Sequence, residues 1–227
     1  MITVSDMQTV QNFLKEAYFV INVNHKNLIP LLELTIHSGR PCMIFPFYKN
    51  GNVSAYLKKN QNTSQAKLID FAVDIAEGLK YIHNNNYIYC ELMAGNCFLE
   101  DHYEANQLLT SSWKWFALEL LKNETVFTTE TDVWAFGIVL YEVFSKGKEP
   151  YDDISTPHYL LQTLEDGNPL TQPPDCPDCI YDVMKKCWNK DPALRPSISS
   201  IFGYLKTAQS QTEVKKRITS SSNAYVG

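Results

Sequence analysis

The stretch TTETDVWAFGIVLYEVFS, residues 128–145, decides the fold of this 227-residue chain. From Asp132 onward it is apolar on nearly every face of a helix, which is typical of a helix at the centre of a domain. Residues 65–83 carry one apolar stripe at helical spacing, and shorter helices are predicted near 53–59, 157–165, 178–189 and 197–208. The sequence therefore predicts a mainly helical body over 49–208.

The first part of the chain has a different pattern. Ser5 and Gln8 have the spacing of a capping box, and apolar residues then recur at helical spacing, which predicts an amphipathic helix over 6–22. Two short apolar runs, 28–36 and 41–45, flank a Gly-containing turn and predict a hairpin. With three or four strands expected before the helices, the fold class is α+β rather than alternating βαβ.

Three segments follow from this pattern. Residues 1–48 form the strand-bearing start, 49–208 the helical body, and 209–227 a polar tail that we expect to lack regular structure.

Composition excludes several classes of protein. Lys and Arg number 20 against 25 Asp and Glu, and this net charge of −5 argues against a general nucleic-acid binder. No apolar stretch approaches about 18 residues, so no membrane span is expected in this chain. The start carries no leader pattern. The hydrophobic fraction of 44% is ample for a core.

The six cysteines contain one close pair, Cys176 and Cys179. A structural zinc site needs a second such pair, and neither Cys97 nor Cys187 has the spacing to supply it. The sequence predicts ordinary reduced thiols in an intracellular protein.

Four long motifs in order resemble the protein kinases, and specifically the tyrosine kinases. They are GLKYIHNNNYIYCELMAGNC at 78–97, KWFALE at 114–119, TTETDVWAFGIVLYE at 128–142 and CWNKDPALRP at 187–196. The resemblance covers about residues 6–208. It implies a protein-kinase-like fold, mainly the helical C-lobe, with a remnant of the N-lobe made of the αC helix and a few strands.

Within the family, three shorter stretches most resemble the hepatocyte-growth-factor-receptor group. They are ALE at 117–119, PFYKNGN at 46–52 and NAYV near the end. Receptors of that group recruit phosphotyrosine-binding modules through tail tyrosines, which makes Tyr225 a candidate docking site beside the simpler interpretation of an incidental Tyr.

The resemblance also implies roles in the catalytic loop. Tyr89, Cys90 and Glu91 occupy the positions of the family's His, Arg and catalytic-base Asp. Glu91 keeps a carboxylate on a longer side chain, and a misplacement of about 1 Å can cost about 100-fold in rate. Asn96 matches the family's Mg²⁺-binding Asn, although an Asn here also suits a loop cap.

Other parts of the catalytic machinery are missing from the sequence. It contains no Gly-rich loop and no D-F-G triplet, and only five residues precede the predicted first helix, which leaves no strand Lys. Asn96 and Glu119 are 23 residues apart, and the family uses roughly twice that span for its metal-binding and activation segments. We therefore expect no metal site and no cofactor, although the family uses ATP and Mg²⁺.

Structural roles are implied for four further residues. Glu119 and Arg195 are expected to form a bidentate ion pair. Asp132 is expected to accept hydrogen bonds from the backbone of the catalytic loop, and Glu16 matches the ion-pairing Glu of helix αC.

The adenine-binding region of the family maps to the end of the predicted hairpin. Phe45 falls at the gatekeeper position, and Pro46, Phe47 and Tyr48 fall at the hinge. A large gatekeeper without a phosphate-binding roof argues against tight nucleotide binding.

Three interpretations of function remain open. The first is a catalytically inactive, pseudokinase-type protein-binding module in the cytoplasm, with protein partners such as signalling proteins. The second is a truncated isoform or fragment of an ATP-dependent receptor protein tyrosine kinase. The third is a truncated product without a selected function.

Overall fold

The computed structural model describes residues 13–14, 17–37, 40–49, 51–99, 112–122, 126–167 and 169–223. The chain divides into two compact units, Met1–Phe47 and Tyr48–Gly227. This division lies one residue before the boundary that the sequence predicts between strand-bearing start and helical body.

The first unit contains a short helical stretch and a hairpin. Residues 17–21 are helical, inside the predicted helix 6–22. Strand β1, Glu33–His37, pairs antiparallel with β2, Arg40–Ile44, in a register that sets Glu33 opposite Ile44.

The strand count is a correction to the sequence prediction. In the part of the chain that the structure describes, one two-stranded sheet replaces the expected three or four strands. The apolar run that was expected to begin a strand at residue 28 contains Pro30, whose ring nitrogen has no hydrogen to donate to a ladder. Strand β1 therefore begins three residues after this proline.

Among its described residues, the regular elements of the second unit are helices joined by loops, with one isolated bridge between Asn52 and Phe98. Its α-helices are α1 Val53–Lys59, α2 Gln65–Asn84, α3 Leu118–Leu121, α4 Thr129–Phe144, α5 Pro157–Glu165, α6 Asp178–Cys187 and α7 Ile198–Asn223. Short 3₁₀ turns lie at Ala94–Asn96, Ser112–Trp115 and Pro192–Leu194. The helices predicted at 53–59, 65–83 and 157–165 agree with these bounds to within one residue.

Helix α4 lies at the centre of this unit, as its all-round apolar sequence predicts. It packs against α2, α6 and α1, and Trp134, Phe136 and Phe144 are among its fully buried side chains. A Cβ atom at Gly137 would lie 2.6 Å from Trp188 Nε1 and 2.7 Å from Cys187 Cβ, so only glycine lets α4 approach the end of α6 this closely. The core of the second unit is built around this one helix.

The end of the chain differs from the sequence prediction. Residues 209–223, expected to lack regular structure, continue helix α7 to Asn223. Ala208 is the last buried apolar residue up to position 214, so residues 209–214 do not rest on core packing. The residues that follow include Gln, Glu, Lys and Arg, which are good helix formers. Polarity alone predicts an irregular tail here, but helix propensity favours a continued helix. Among the described residues, no helix has the length and apolarity needed to cross a membrane.

Candidate functional site: the catalytic-loop region

Asp132, in the first turn of α4, holds the loop that follows α2. Its carboxylate is buried and accepts a hydrogen bond from the Tyr89 amide at 2.7 Å and from the Cys90 amide at 2.8 Å. His83 Nε2 lies 2.9 Å from the oxygen that binds Tyr89. These contacts are the ones that the sequence resemblance implies for Asp132, with His83 as an additional partner.

The loop is strained at the point where Asp132 holds it. Cys90 has a φ of +70°, a conformation in which the Cβ atom of an L-residue crowds the backbone. The amides of Tyr89 and Cys90 both donate to the carboxylate of Asp132. We infer that the charge-assisted hydrogen bonds to Asp132 offset the strain at Cys90.

Glu142 is a second acidic residue of α4 that faces the loop. Its Oε2 accepts hydrogen bonds from the Ala94 amide at 2.9 Å and from the Trp115 indole at 2.8 Å. Burial raises the pKa of this carboxyl from 4.5 to about 7, while the two hydrogen bonds and the charge of Lys58 act in the opposite direction. Glu142 thus joins the catalytic loop to the segment before α3.

The sequence reasoning did not single out Glu142, His83 or Trp115. For Glu142 a signal was available. A lone acidic residue inside an otherwise apolar helical run must be buried with a partner, because Glu is almost never fully buried unless it is paired. His83 and Trp115 have no comparable signal, since their positions follow from tertiary packing.

The candidate catalytic residues lie together in this loop. The side chain of Glu91 is exposed, and Asn96 Nδ2 donates to the Glu91 carbonyl at 2.7 Å. The amide of Asn96 therefore braces the loop, which is the capping role that the sequence left open as an alternative.

Tyr89, which the sequence resemblance places at the family's His position, points into the protein. Burial raises the pKa of its phenol well above the usual value, and the negative groups of Cys97, Glu91 and Asp132 add to this shift. The phenol stays neutral at physiological pH, so Tyr89 supplies no charge to the loop.

The ion pair expected between Glu119 and Arg195 is present with two parallel hydrogen bonds. Arg195 Nη1 and Nη2 donate to the two carboxylate oxygens at 2.6 and 2.8 Å. Arg195 also donates to the carbonyls of Glu130 and Asn189 and lies over the ring of Trp134. The pair therefore ties α3 to the start of α4 and to the segment before α7.

The predicted hinge residues are divided between the two units. Phe45 and Phe47, in the first unit, are 42% and 68% exposed. In the second unit, the ring of Tyr48 lies 6.2 Å from that of Phe98. Glu16 and Tyr225 lie outside the described residues.

A shallow, open depression with a volume of only about 10 Å³ lies beside the loop. The loop residues 90–93 form one side, and Trp115, Phe116 and Phe127 are among the residues of the other. No group of three or more His, Cys, Asp or Glu side chains in the described part of the chain is arranged to hold a metal ion. The surroundings of the loop are thus aromatic and sulfur-containing rather than rich in metal ligands.

Comparisons with known proteins agree with this architecture. The sequence model of the family described as "Protein tyrosine and serine/threonine kinase" matches residues 1–106 and 99–205. Among curated proteins, the chain is 32% identical over 234 aligned positions to the "Tyrosine-protein kinase receptor TYRO3" of Danio rerio. That alignment covers 89% of this chain and 26% of the relative, so the chain spans about a quarter of the receptor's length.

Proposed function

The chain belongs to the protein tyrosine and serine/threonine kinase family, and we propose that it acts as a catalytically inactive, pseudokinase-type protein-binding module. The observation that carries the proposal is a contrast within one site. The bonds that hold the kinase-like helical unit together are made, through Asp132, Glu142 and the Glu119–Arg195 pair. The loop that they position carries Cys90 and Glu91 where the family places a cation and its catalytic base.

Phosphoryl transfer depends on positioning and on stabilising the charge of the transferred group. The family uses two Mg²⁺ ions for this, held by a D-F-G Asp and a loop Asn. Here Asn96 turns its amide nitrogen toward the Glu91 carbonyl, and no D-F-G triplet occurs in the 22 residues between Asn96 and Glu119. Among the residues that the structure describes around the loop, the ligand set does not fit a magnesium–nucleotide complex, and we propose no step through one.

The two-part match to the family supports this interpretation. The matched segments 1–106 and 99–205 overlap at the region between the catalytic loop and α3, where the sequence is shorter than the family pattern. The family's metal-binding segment falls in this region, so a shortening here would remove metal-binding residues.

We assign protein partners to this module, such as signalling proteins in the cytoplasm. The net charge of −5 disfavours nucleic acid. The open depression has the half-buried Phe116 and Phe127 on one side, and this side suits a peptide contact because aromatic residues are enriched in protein interfaces. The closeness to the hepatocyte-growth-factor-receptor group remains part of the proposal.

The proposal is tested by incubating the protein with [γ-³²P]ATP, Mg²⁺ and a Glu–Tyr copolymer. We expect no labelling above a reaction without protein. Labelling that requires Mg²⁺, is abolished by Glu91→Ala and persists in Glu33→Ala, a change at an exposed glutamate of β1, would contradict an inactive module.

A second candidate, a portion of an ATP-dependent receptor tyrosine kinase, is favoured by the similarity to the Danio rerio receptor. In that case the missing parts are supplied by a longer product of the same gene. Full-length transcript sequencing that finds a Gly-rich loop and a D-F-G segment would support it. So would a rise in melting temperature of more than about 2 °C with ATP and Mg²⁺, because a ligand that binds the native state stabilises it.

A further inference from the structure

Strand β1 leaves one edge of the two-stranded sheet open. In the part of the chain that the structure describes, the sheet consists of β1 and β2 alone, so β1 is paired on one side only. Among the described residues, no main-chain group outside β2 bonds to β1. Four of its five side chains are exposed, and Thr35 is half-buried. The N–H and C=O groups along such an edge are a template on which a further strand can pair.

One hydrogen bond shows which main-chain groups of the hairpin face outward. The Leu32 amide donates to the Ile44 carbonyl at 2.8 Å, so Ile44 turns its main-chain groups toward the first strand. In an antiparallel pair, alternate residues bond to the partner strand, and Ile44 lies opposite Glu33. By this alternation, the residues of β1 that direct their N–H and C=O groups away from β2 are Leu34 and Ile36.

The outer edge of β2 is less able to accept a strand. By the same alternation, its outward residues are Pro41 and Met43. Pro41 has no N–H group to donate to a neighbouring strand. Both outward residues of β1 carry an N–H group, so a further strand can pair along β1 without losing a bond.

The side chains along the open edge of β1 are apolar and exposed to solvent. Ile36 is 75% exposed, the largest value among the exposed large apolar side chains of the described residues, and Leu34 is 37% exposed. One residue separates them, so both side chains lie on the same face of the strand. A strand that pairs here with apolar residues opposite them would remove part of this surface from water.

We propose that β1 pairs antiparallel with β1 of a second copy of this chain, about a two-fold axis that passes beside Thr35. In this register, Leu34 lies opposite Ile36 of the second copy, and the outward N–H and C=O groups of the two residues bond to each other. The two hairpins then form one four-stranded sheet. Such a sheet is more stable than an isolated hairpin, which is marginal in water.

The sequence of β1 is complementary to itself in this register. When ELTIH is read against its own reverse, Glu33 lies opposite His37 of the second copy at both ends of the pairing. A carboxylate accepts a hydrogen bond from an imidazole N–H whether or not the ring is charged. A shift by one residue would place Glu33 or His37 opposite an apolar side chain. This match favours a second copy over an unrelated strand, because a two-fold contact brings the same segment together with itself.

The proposal concerns self-association, and it holds whether or not the chain transfers phosphate. Its test is sedimentation equilibrium of the full 227-residue protein over about 1–100 μM. We expect the mean mass to rise from 26.0 kDa toward twice this value and to stop there, because a two-fold contact is closed. A mass of 26.0 kDa at every concentration would overturn the proposal and leave the edge to a strand of another protein. Masses that pass the dimer would overturn it as well.

Two matched proline variants identify the edge that is used. Ile36→Pro removes an outward N–H group of β1, and Met43→Pro removes one of β2. Neither change removes a hydrogen bond between the two strands of the hairpin. We expect Ile36→Pro to remain monomeric and Met43→Pro to dimerise as the wild type does. Dimerisation of Ile36→Pro with loss in Met43→Pro would contradict pairing through β1, and if both variants are monomeric the charge variants decide.

Charge reversal at the ends of β1 tests the register without a proline. His37→Glu sets carboxylates opposite each other at both ends of the pairing, and we expect the dissociation constant of the dimer to rise about three- to tenfold. The double variant Glu33→Lys/His37→Glu restores opposite charges at the same places and should return the constant to within about twofold of the wild type. A double variant that dimerises no more tightly than His37→Glu would refute this register, and with it the assignment to a second copy.

Discussion

Two neighbouring parts of the helical unit contribute different groups to the site. The loop between α2 and the 3₁₀ turn Ala94–Asn96, in which we propose that the side chains of Tyr89, Cys90 and Glu91 depart from the family pattern, contributes its main-chain amides. In helix α4, Asp132 and Glu142 make the hydrogen bonds that hold this loop.

The difference has a simple physical basis. Both acidic residues bind main-chain amides of the loop, at Tyr89, Cys90 and Ala94, and an amide is present whatever side chain the position carries. Loop side chains can therefore change without loss of the loop's path. The acids that bind the amides cannot change so freely, because a buried amide without a partner costs about 1–3 kcal/mol.

The strongest way to test this comparison is to remove an anchor of α4. Glu119→Ala leaves the guanidinium of Arg195, whose side chain is 0% exposed, without its carboxylate partner. Breaking a buried pair on one side typically costs 3–5 kcal/mol, so we expect the free energy of unfolding to fall by about 4 kcal/mol. Urea denaturation followed by circular dichroism measures this loss.

The matched control is a surface ion pair of the same unit. Lys122 and Glu165 lie 2.9 Å apart with side chains 44% and 47% exposed. Glu165→Ala should cost less than about 1 kcal/mol, because water and salt screen exposed pairs. Equal losses in the two variants would mean that Glu119 does not act as an anchor.

A second test uses the pH dependence of stability. Because the folded protein raises the pKa of Glu142 from 4.5 to about 7, this group binds more protons in the folded state than in the unfolded state between these values. Its contribution to stability is full below pH 4.5 and is lost as the pH rises to about 7. The size is on the order of 3 kcal/mol.

Glu142→Gln removes this titration and keeps an oxygen that can accept from Ala94 and Trp115. We expect the stability of the variant relative to wild type to increase as the pH rises from 4.5 to about 7. Groups common to both proteins cancel in this difference. The free energy of unfolding of each protein is measured across this pH range. A constant difference between the two proteins would show that Glu142 is not buried with a raised pKa.

A third test separates charge from shape at Asp132. Asp132→Asn replaces one of two acceptor oxygens with an amide, so that either Tyr89 or Cys90 loses the acceptor of its N–H group. We expect a loss of about 2 kcal/mol. Amide exchange should become faster at residues 87–93, while the middle of α4 stays protected. If exchange rises equally in both places, Asp132 supports the whole unit rather than the loop.

The sequence predicted the helical unit better than the rest of the chain, for physical reasons. Helix α4 is a long run that is apolar on nearly every side, and α2 has one clear apolar stripe, so run length located the first and periodicity the second. The Gly-containing turn predicts the hairpin, but Pro30 shortens its first strand, and the described part of the chain holds fewer strands than the sequence predicts. In α7, the polar composition after residue 208 predicts an irregular tail, whereas the helix propensity of the same residues extends the helix to Asn223.

Within the site, the family motifs locate residues whose role depends on their own charged side chain. Asp132, Glu119 and Arg195 were identified in this way, and the structure shows their contacts. The role of Trp115 could not be predicted, since its indole meets Glu142 only after the chain has folded. The strain at Cys90 could not be predicted either, because a cysteine in the sequence gives no sign of a positive φ.

The smallest expected effect has the opposite sign and isolates that strain. Cys90→Gly removes the Cβ atom at a φ of +70°, where an L-residue pays about 1–2 kcal/mol and glycine pays none. The variant loses the contact of Cys90 Sγ with the Ile88 carbonyl, which is weak at 3.7 Å. Since glycine also gives the unfolded chain more freedom, we expect a net gain in stability of about 0.5–1 kcal/mol. Cys97→Gly, at a φ of −100°, relieves no strain and should destabilise the protein. If both variants lose stability alike, the bonds from Asp132 hold an unstrained loop, and the freedom of its side chains to diverge needs another explanation.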